Sequence, residues 1–313
     1  MRISNTLIRT PILLSLLALG SFDLRASIDL YGRIAIDAQS SSIDNNGTKL
    51  DIANSESKAG LKGSFLFPES SNLKFIYQIE YGIDPVDGKA RGDDGTLKQR
   101  NTFIGLQTNV GTLFAGTHDS ALKKSQLKVD LFNDVSADIK NILHGENRLE
   151  KFIGFTTPKY NDSISLTFNN IKNPLASGNN FKSYSINYSG NNYQAAFAVD
   201  DGMKDFDSTR LSVLYPHTNF RFGIIIQETK NLLTGIKKTG GVISYSARIK
   251  LKGTLKFQHA SSSMKISAGK QSTIGYDHQI KQGLKLFTLF SKLQSDRINM
   301  SKNIFSIGLE YKF

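Results

Sequence analysis

The closing segment Asn303-Ile304-Phe305-Ser306-Ile307-Gly308-Leu309-Glu310-Tyr311-Lys312-Phe313 places apolar side chains at Phe305, Ile307, Leu309, Tyr311 and Phe313. Between them stand Ser306, Gly308, Glu310 and Lys312, small or polar. A period of two over eleven residues is a strand with one apolar and one wet face. The sequence ends on an aromatic residue with no further segment to cover the apolar face, so a surface outside the chain must do so, and lipid is the simplest candidate.

The same alternation recurs upstream. Leu30, Ile34 and Ile36 oppose Asp29, Tyr31, Arg33 and Asp37, and Leu61, Phe65 and Phe67 oppose Lys58, Lys62 and Ser64. Leu73, Phe75, Tyr77, Ile79 and Tyr81 oppose Lys74, Gln78 and Glu80. Counting weaker runs such as Lys98 to Thr108 and Leu149 to Thr156, about sixteen candidate strands follow one another, with boundaries good to ~2–4 residues. The connections alternate as well. Tight ones, such as Pro68 to Asn72, Asn109 to Gly111 and Pro216 to Asn219, alternate with longer ones at Gln39 to Asp51, Asp84 to Thr96, His118 to Asn147, Asp200 to Ser208 and Glu228 to Gly240.

Composition narrows the choice. The chain has 313 residues, a formal charge of +12, six prolines, no tryptophan and no cysteine, which excludes disulfide frameworks and thiolate metal sites. Residues 1–26 read as a signal peptide: Arg2 and Arg9 precede the apolar run Ile12 to Leu19, and Leu24-Arg25-Ala26 offers a cleavage site, with cleavage after Gly20 as the alternative. Residues 27–313 are then a single domain. Beyond residue 26 no run reaches the ~18 apolar residues of a membrane helix. The lysines sit singly on alternating strands rather than on a basic helix, so nucleic acid is not an expected partner; lipopolysaccharide phosphates or anions in a pore fit better. His118, His144, His217, His259 and His278 are scattered without ligand spacing, so neither metal nor cofactor is expected.

An even up-and-down meander with short connections at one rim and long ones at the other is what a closed transmembrane antiparallel β-barrel requires. Closure is enforced energetically, because each unpaired backbone group in hydrocarbon costs several kcal/mol. A soluble sandwich shares the alternation but buries its apolar faces between two sheets. Polar inward residues on sixteen strands enclose a lumen too wide to be filled by side chains, hence water and a channel. The longest connection, His118 to Asn147, exceeds the ~12–15 residues beyond which structureless loops usually serve a function. It carries Asp119, Asp130, Asp134 and Asp138, Lys123, Lys124 and Lys128, and the apolar Leu127, Val129, Leu131 and Phe132.

Four segments, Ile28-Asp29-Leu30-Tyr31-Gly32-Arg33, Lys58-Ala59-Gly60-Leu61-Lys62-Gly63, Arg100-Asn101-Thr102-Phe103-Ile104-Gly105-Leu106 and the closing aromatic strand, together resemble the trimeric general diffusion porins of Gram-negative outer membranes. The resemblance spans Ser27 to Phe313. It implies a sixteen-stranded barrel whose third long loop folds into the lumen, a homotrimer in the cell outer membrane surrounded by lipid and lipopolysaccharide, and passive diffusion of small hydrophilic solutes and ions. Carried over by position, it sets the basic residues Arg33, Lys58, Arg100 and Arg148 on one side of a constriction and Asp130, Asp134 and Asp138 on the loop, although the loop lacks the family's Pro-Glu-Phe-Gly-Gly sequence. Opposed charges of this kind orient dipolar solutes and separate cation from anion paths. Lys62 and Lys98 share faces with Lys58 and Arg100 and tilt the expected preference toward anions. A substrate-selective channel is the alternative and needs a row of basic or aromatic residues down the lumen; a barrel adhesin or hydrolase is a third. The hydrolase is disfavoured, since no Gly-x-Ser-x-Gly motif is present.

Overall fold

The computed structural model describes residues 27–44, 47–67, 72–87, 98–173, 178–250, 252–266 and 268–313. The signal-peptide reading of residues 1–26 falls outside them. So do residues 45–46, 68–71, 88–97, 174–177, 251 and 267.

Strands make up most of the described chain. The first six are β1 (Ser27–Ile43), β2 (Thr48–Asn54), β3 (Lys58–Leu66), β4 (Lys74–Gly82), β5 (Thr102–Thr108) and β6 (Gly111–Asp119). After the long third loop come β7 (Arg148–Thr156), β8 (Ile164–Ile171), β9 (Phe181–Ser189), β10 (Gln194–Met203), β11 (Phe206–Pro216) and β12 (Phe220–Asn231). The last five are β13 (Lys237–Ile249), β14 (Gly253–Ser262), β15 (Lys270–Lys281), β16 (Leu284–Ser295) and β17 (Met300–Lys312). Consecutive strands pair antiparallel, apart from β2 with β3, and β17 returns to β1 in register from Arg33↔Lys312 to Ile43↔Lys302. The Gly32 amide donates to the Phe313 carbonyl at 3.0 Å, so the seam is hydrogen-bonded to the last residue.

Seventeen strand segments make sixteen staves, because β2 and β3 are two halves of one. β1 pairs with β3 through Ser27–Arg33 and with β2 through Ile36–Ser42. Between the halves Glu56 takes a positive φ of 55°, and Ser57 Oγ accepts the Ala35 amide at 2.9 Å in place of the lost ladder bond. Ser57 Oγ thus supplies the partner that the Ala35 amide loses at the break.

Side-chain parity makes this a membrane barrel. On β11 Leu211, Val213 and Tyr215 are exposed while Ser208, Arg210 and Ser212 are buried, and on β17 Phe305, Ile307, Leu309 and Tyr311 point out while Ser306 and Glu310 point in. Leu30, 73% exposed, shows how openly the apolar face is presented. Water would penalise such a surface, and lipid removes the penalty at roughly 25 cal/mol per Å² of apolar area covered.

Two expectations are corrected. Several connections read as long loops are hydrogen-bonded hairpins: β10 and β11 run to Met203 and Phe206 around Lys204 and Asp205, both at positive φ, and β12 and β13 reach Asn231 and Lys237. Above the bilayer both faces of a hairpin meet water, so pairing persists after the alternation that signals a strand has gone. The strand expected from Lys98 becomes regular only at Thr102.

The third loop, Ser120 to Asn147, lies inside the barrel. It begins with one helical turn, α1 (Ala121–Lys124), capped by Ser120 Oγ accepting the Lys123 amide at 3.1 Å. Val129, Ile139, Ile142 and Leu143 are buried against Leu214, Ile225, Val242 and Ala260 of the inner wall, and Phe132 and Ala137 against Leu289. A Cβ added to Gly223 would stand 2.9 Å from Val129, and one added to Gly275 would stand 2.7 Å from Phe132, so the wall gives up side chains where the loop seats its own.

Candidate pore constriction

The loop packs on the inner wall from β8 to β16, while the basic residues of the remaining wall border open space beside it. Parity sends Arg33, Lys58 and Arg148 inward, and Arg100 projects from the segment preceding β5, where its amide donates to the Glu80 carbonyl at 2.8 Å. These bases are not bare. Arg100 Nε meets Glu80 Oε1 and Arg100 Nη1 meets Glu56 Oε2, both at 2.8 Å, while Lys58 Nζ lies 3.0 Å from Glu80 Oε2. Arg33 Nε donates to Glu310 Oε2 at 2.7 Å. Arg148 pairs with Asp119 at 3.0 Å and donates to Asn101 Oδ1 at 2.8 Å. The wall thus carries alternating charge whose members fix one another's positions: two carboxylates grip each of the Arg33 and Arg100 guanidiniums, and Asp119 with the Asn101 amide oxygen grips that of Arg148.

The three loop aspartates differ. Asp134 Oδ2 reaches Arg33 Nη1 at 3.2 Å and joins loop to wall. Asp130 is buried; its oxygens accept the amides of Phe132 and Ile139 at 2.9 and 3.1 Å and Gln258 Nε2 at 3.1 Å. Burial first, and then the nearby Asp138 charge, push the Asp130 carboxyl up to about 8. Asp138 caps a short 3-10 turn, accepting the Lys140 amide at 2.7 Å and the Asp134 amide at 3.0 Å. These bonds hold two of the acids to the loop's own backbone, as buried carboxylates require.

All seven residues line the spaces between loop and wall. One cavity of about 310 Å³ brings together Lys58, Arg100, Arg148 and Asp134; a second, about 360 Å³, brings Arg100 and Arg148 to Asp134 and Asp138. Arg33, Lys58, Asp130 and Asp134 border a third of about 460 Å³ beneath the loop. Tyr31, which shares the parity of Arg33, turns into the lumen and donates to Glu80 Oε2 at 3.0 Å.

Sequence reading missed the wall carboxylates Glu56, Glu80 and Glu310. Glu80 and Glu310 sit at inward parity on regular strands, so the signal was present; Glu56 sits at the backbone break and had none. It also missed Arg210. This guanidinium, 0% exposed, donates to Glu146 Oε1 at 2.8 Å, to Gln227 Oε1 at 2.8 Å, and to the Leu122 and His144 carbonyls at 3.2 and 3.1 Å. It ties both ends of the loop to β11. Burial raises the Glu146 carboxyl against the downward pull of Arg210.

A closed barrel with its longest loop folded inside and a charged gap between loop and wall conducts; among the described residues no group of His, Asp and Glu could hold a metal ion. Comparison with known proteins agrees. A family profile described as Gram-negative porin matches residues 14–312. An anion-selective porin from Comamonas acidovorans superposes with a TM-score of 0.74 at 18% identity, covering 92% of this chain and 100% of that one. Salmonella typhi OmpF, in a complex with daunomycin, gives 0.73 at 14% identity, covering 91% and 97%, and the outer-membrane channel DcaP of Acinetobacter baumannii gives 0.66 at 13%, covering 92% and 97%. No curated protein sequence matches. With the profile covering nearly the whole chain, the protein belongs to the Gram-negative porin family and is a passive channel of the outer membrane.

Proposed function

We propose that small hydrophilic solutes and ions cross this channel through the gap between the loop and the β1–β7 wall, with Arg33, Lys58, Arg100 and Arg148 as its basic side and Asp134 as the loop's principal acid. Asp130 and Asp138 act by holding the loop in shape. The observation that carries this reading is the cavity of about 310 Å³ shared by Lys58, Arg100, Arg148 and Asp134. Lys62 and Lys123 line the same cavity, which supports a weak anion preference; the Comamonas protein is described as anion-selective. The active form is a homotrimer, its apolar belt shared between neighbouring barrels and outer-membrane lipid, with lipopolysaccharide at the outer rim.

Planar-bilayer recording under a salt gradient tests the assignment. The wild-type reversal potential should favour anions, and Arg100→Glu should move it toward cations. An unchanged potential overturns the assignment. Liposome swelling with graded uncharged sugars should fall smoothly with solute size; one sugar far above the curve would instead favour a substrate-selective channel. Mass measurement in detergent should return three copies, and N-terminal sequencing of the mature protein should begin at Ser27, or at Ser21 for the earlier cleavage site.

A further inference from the structure

We propose that the channel carries a second anion site, separate from the constriction, in the vestibule on the short-turn side of the loop, and that it takes small solutes bearing phosphoryl groups. A cavity of about 380 Å³ lies between the underside of the loop and the turn at residues 217–219. Lys128 of the loop, Arg221 at the start of β12, Arg248 at the end of β13, Lys256 of β14 and Lys285 of β16 converge on it. Two carboxylates, Asp130 and Asp277, line the cavity with these five cations, and a third, Glu310, reaches Lys285 at 3.3 Å from outside it. Asp130 is taken up by the loop backbone and Gln258. Asp277 bridges Lys256 at 2.9 Å and Lys285 at 3.1 Å, holding both ammonium groups at the cavity wall.

Lys128, Arg221 and Arg248 make no ion pair among the described residues. This separates the vestibule from the constriction, where Arg33, Lys58, Arg100 and Arg148 each have a carboxylate within 3.2 Å. Paired bases present a balanced surface to a passing solute, whereas unpaired ones attract an anion in full. Two guanidiniums beside two ammonium groups suit a phosphoryl group, whose oxygens accept from planar forks bidentately and from ammonium groups singly. The volume admits a diphosphate or a phosphorylated sugar. The ladder registers Ser246↔Lys256 and Arg248↔Thr254 keep Lys256 and Arg248 on adjoining rows of one wall. A phosphorylated solute therefore meets two weak sites in series, which permits passage where one strong site would trap it.

The inference rests on the porin reading, and the test separates the two. Inorganic pyrophosphate is added to one side of a bilayer holding the full-length channel at ~0.1 M salt, where screening extends about 10 Å. Pyrophosphate should reduce the chloride current more strongly from the short-turn side, and Arg221→Gln/Arg248→Gln should weaken that block about tenfold or more. Lys128→Gln, a change in the loop instead of the barrel, should weaken it in the same direction. Isothermal titration of the detergent-folded chain with pyrophosphate reads the site without conduction and should show the same loss of affinity. Equal pyrophosphate affinity in wild type and variants overturns the site while leaving the channel standing. A wild-type chain that conducts nothing ends the porin reading, and the titration still decides the site.

Discussion

Replacing Arg210 with methionine tests what holds the third loop in the lumen. Two forces are visible. The polar one is the Arg210 guanidinium with Glu146, Gln227 and two loop carbonyls, fully out of water. Removing one member of a buried ion pair costs ~3–5 kcal/mol, because the partner is left charged and unpaired. The apolar force is burial of Val129, Ile139, Ile142 and Leu143 on the wall. At ~1.5–3 kcal/mol each they contribute about 6–12 kcal/mol. The apolar term is the larger, so Arg210→Met should loosen both ends of the loop without expelling it. Single-channel conductance should stay within about twofold of wild type, with added current noise, and the melting temperature should fall. The double variant Arg210→Met/Glu146→Leu removes the orphaned carboxylate and should recover most of the lost stability, since a buried pair can be replaced by apolar groups at little cost. Conductance rising in Arg210→Met to that of a channel with residues 121–146 deleted would refute the ranking of the two forces. A double variant no more stable than the single one would refute the explanation by orphaned charge.

Three further outcomes follow from the same geometry. Arg100→Glu places a third carboxylate beside Glu80 and Glu56 and should lower the anion-to-cation permeability ratio several-fold, since a unit charge ~4 Å from a passing ion is worth about 1 kcal/mol even in water; reversal potentials measure it, and Asp134→Asn should move them the opposite way. Gly275→Leu drives a side chain into the Phe132 ring and should destabilise the fold by ~1–3 kcal/mol, seen in thermal melts, whereas Gly235→Ala at a hairpin tip, its φ of +70° already unfavourable but its surroundings empty, should leave conductance unchanged. The Asp130 carboxyl titrates at about 8 in the folded loop against an ordinary 3.8, so the folded state holds its proton more tightly. Its contribution is complete below about pH 4 and fades as pH rises through about 8; melting temperatures should decline over that window in wild type and less steeply in Asp130→Asn.

The barrel and its basic wall were legible because both rest on a period of two: parity alone turns Arg33 and Lys58 away from Leu30, Ile34, Leu61 and Phe65. Above the membrane that signal fails, and the hairpins around Lys204–Asp205 and residues 232–236 pass for loops, since their backbones pair regardless of which side chains face water. The acids were less legible for a different reason. A carboxylate in a loop has the loop's own amides within reach, and Asp130 and Asp138 are engaged by them, while Glu80 and Glu310, rigid on strands, are free to answer the wall bases. Charge type and position in sequence do not distinguish these fates; the number of nearby backbone donors does.

The docking ground of the loop was nevertheless written in the strands, as places where alternation breaks. A stave with lipid outside and water inside keeps strict alternation. A stave with lipid outside and a packed loop inside needs apolar residues on both faces wherever the loop seats its own apolar side chains. Val213-Leu214-Tyr215, Ile224-Ile225-Ile226 and Val242-Ile243 are such interruptions, and Leu214, Ile225 and Val242 are the wall residues under Val129, Ile139, Ile142 and Leu143. By contrast β3 and β4, which keep Lys58, Lys62, Gln78 and Glu80 inward, face the open lumen. Lost alternation in β11 to β13 therefore marks the half of the barrel that is filled, and retained alternation marks the half that conducts. It follows that substitutions to polar residues at Ile225 or Val242 should act on the loop before they act on the barrel, raising conductance while the strand content read by circular dichroism stays unchanged.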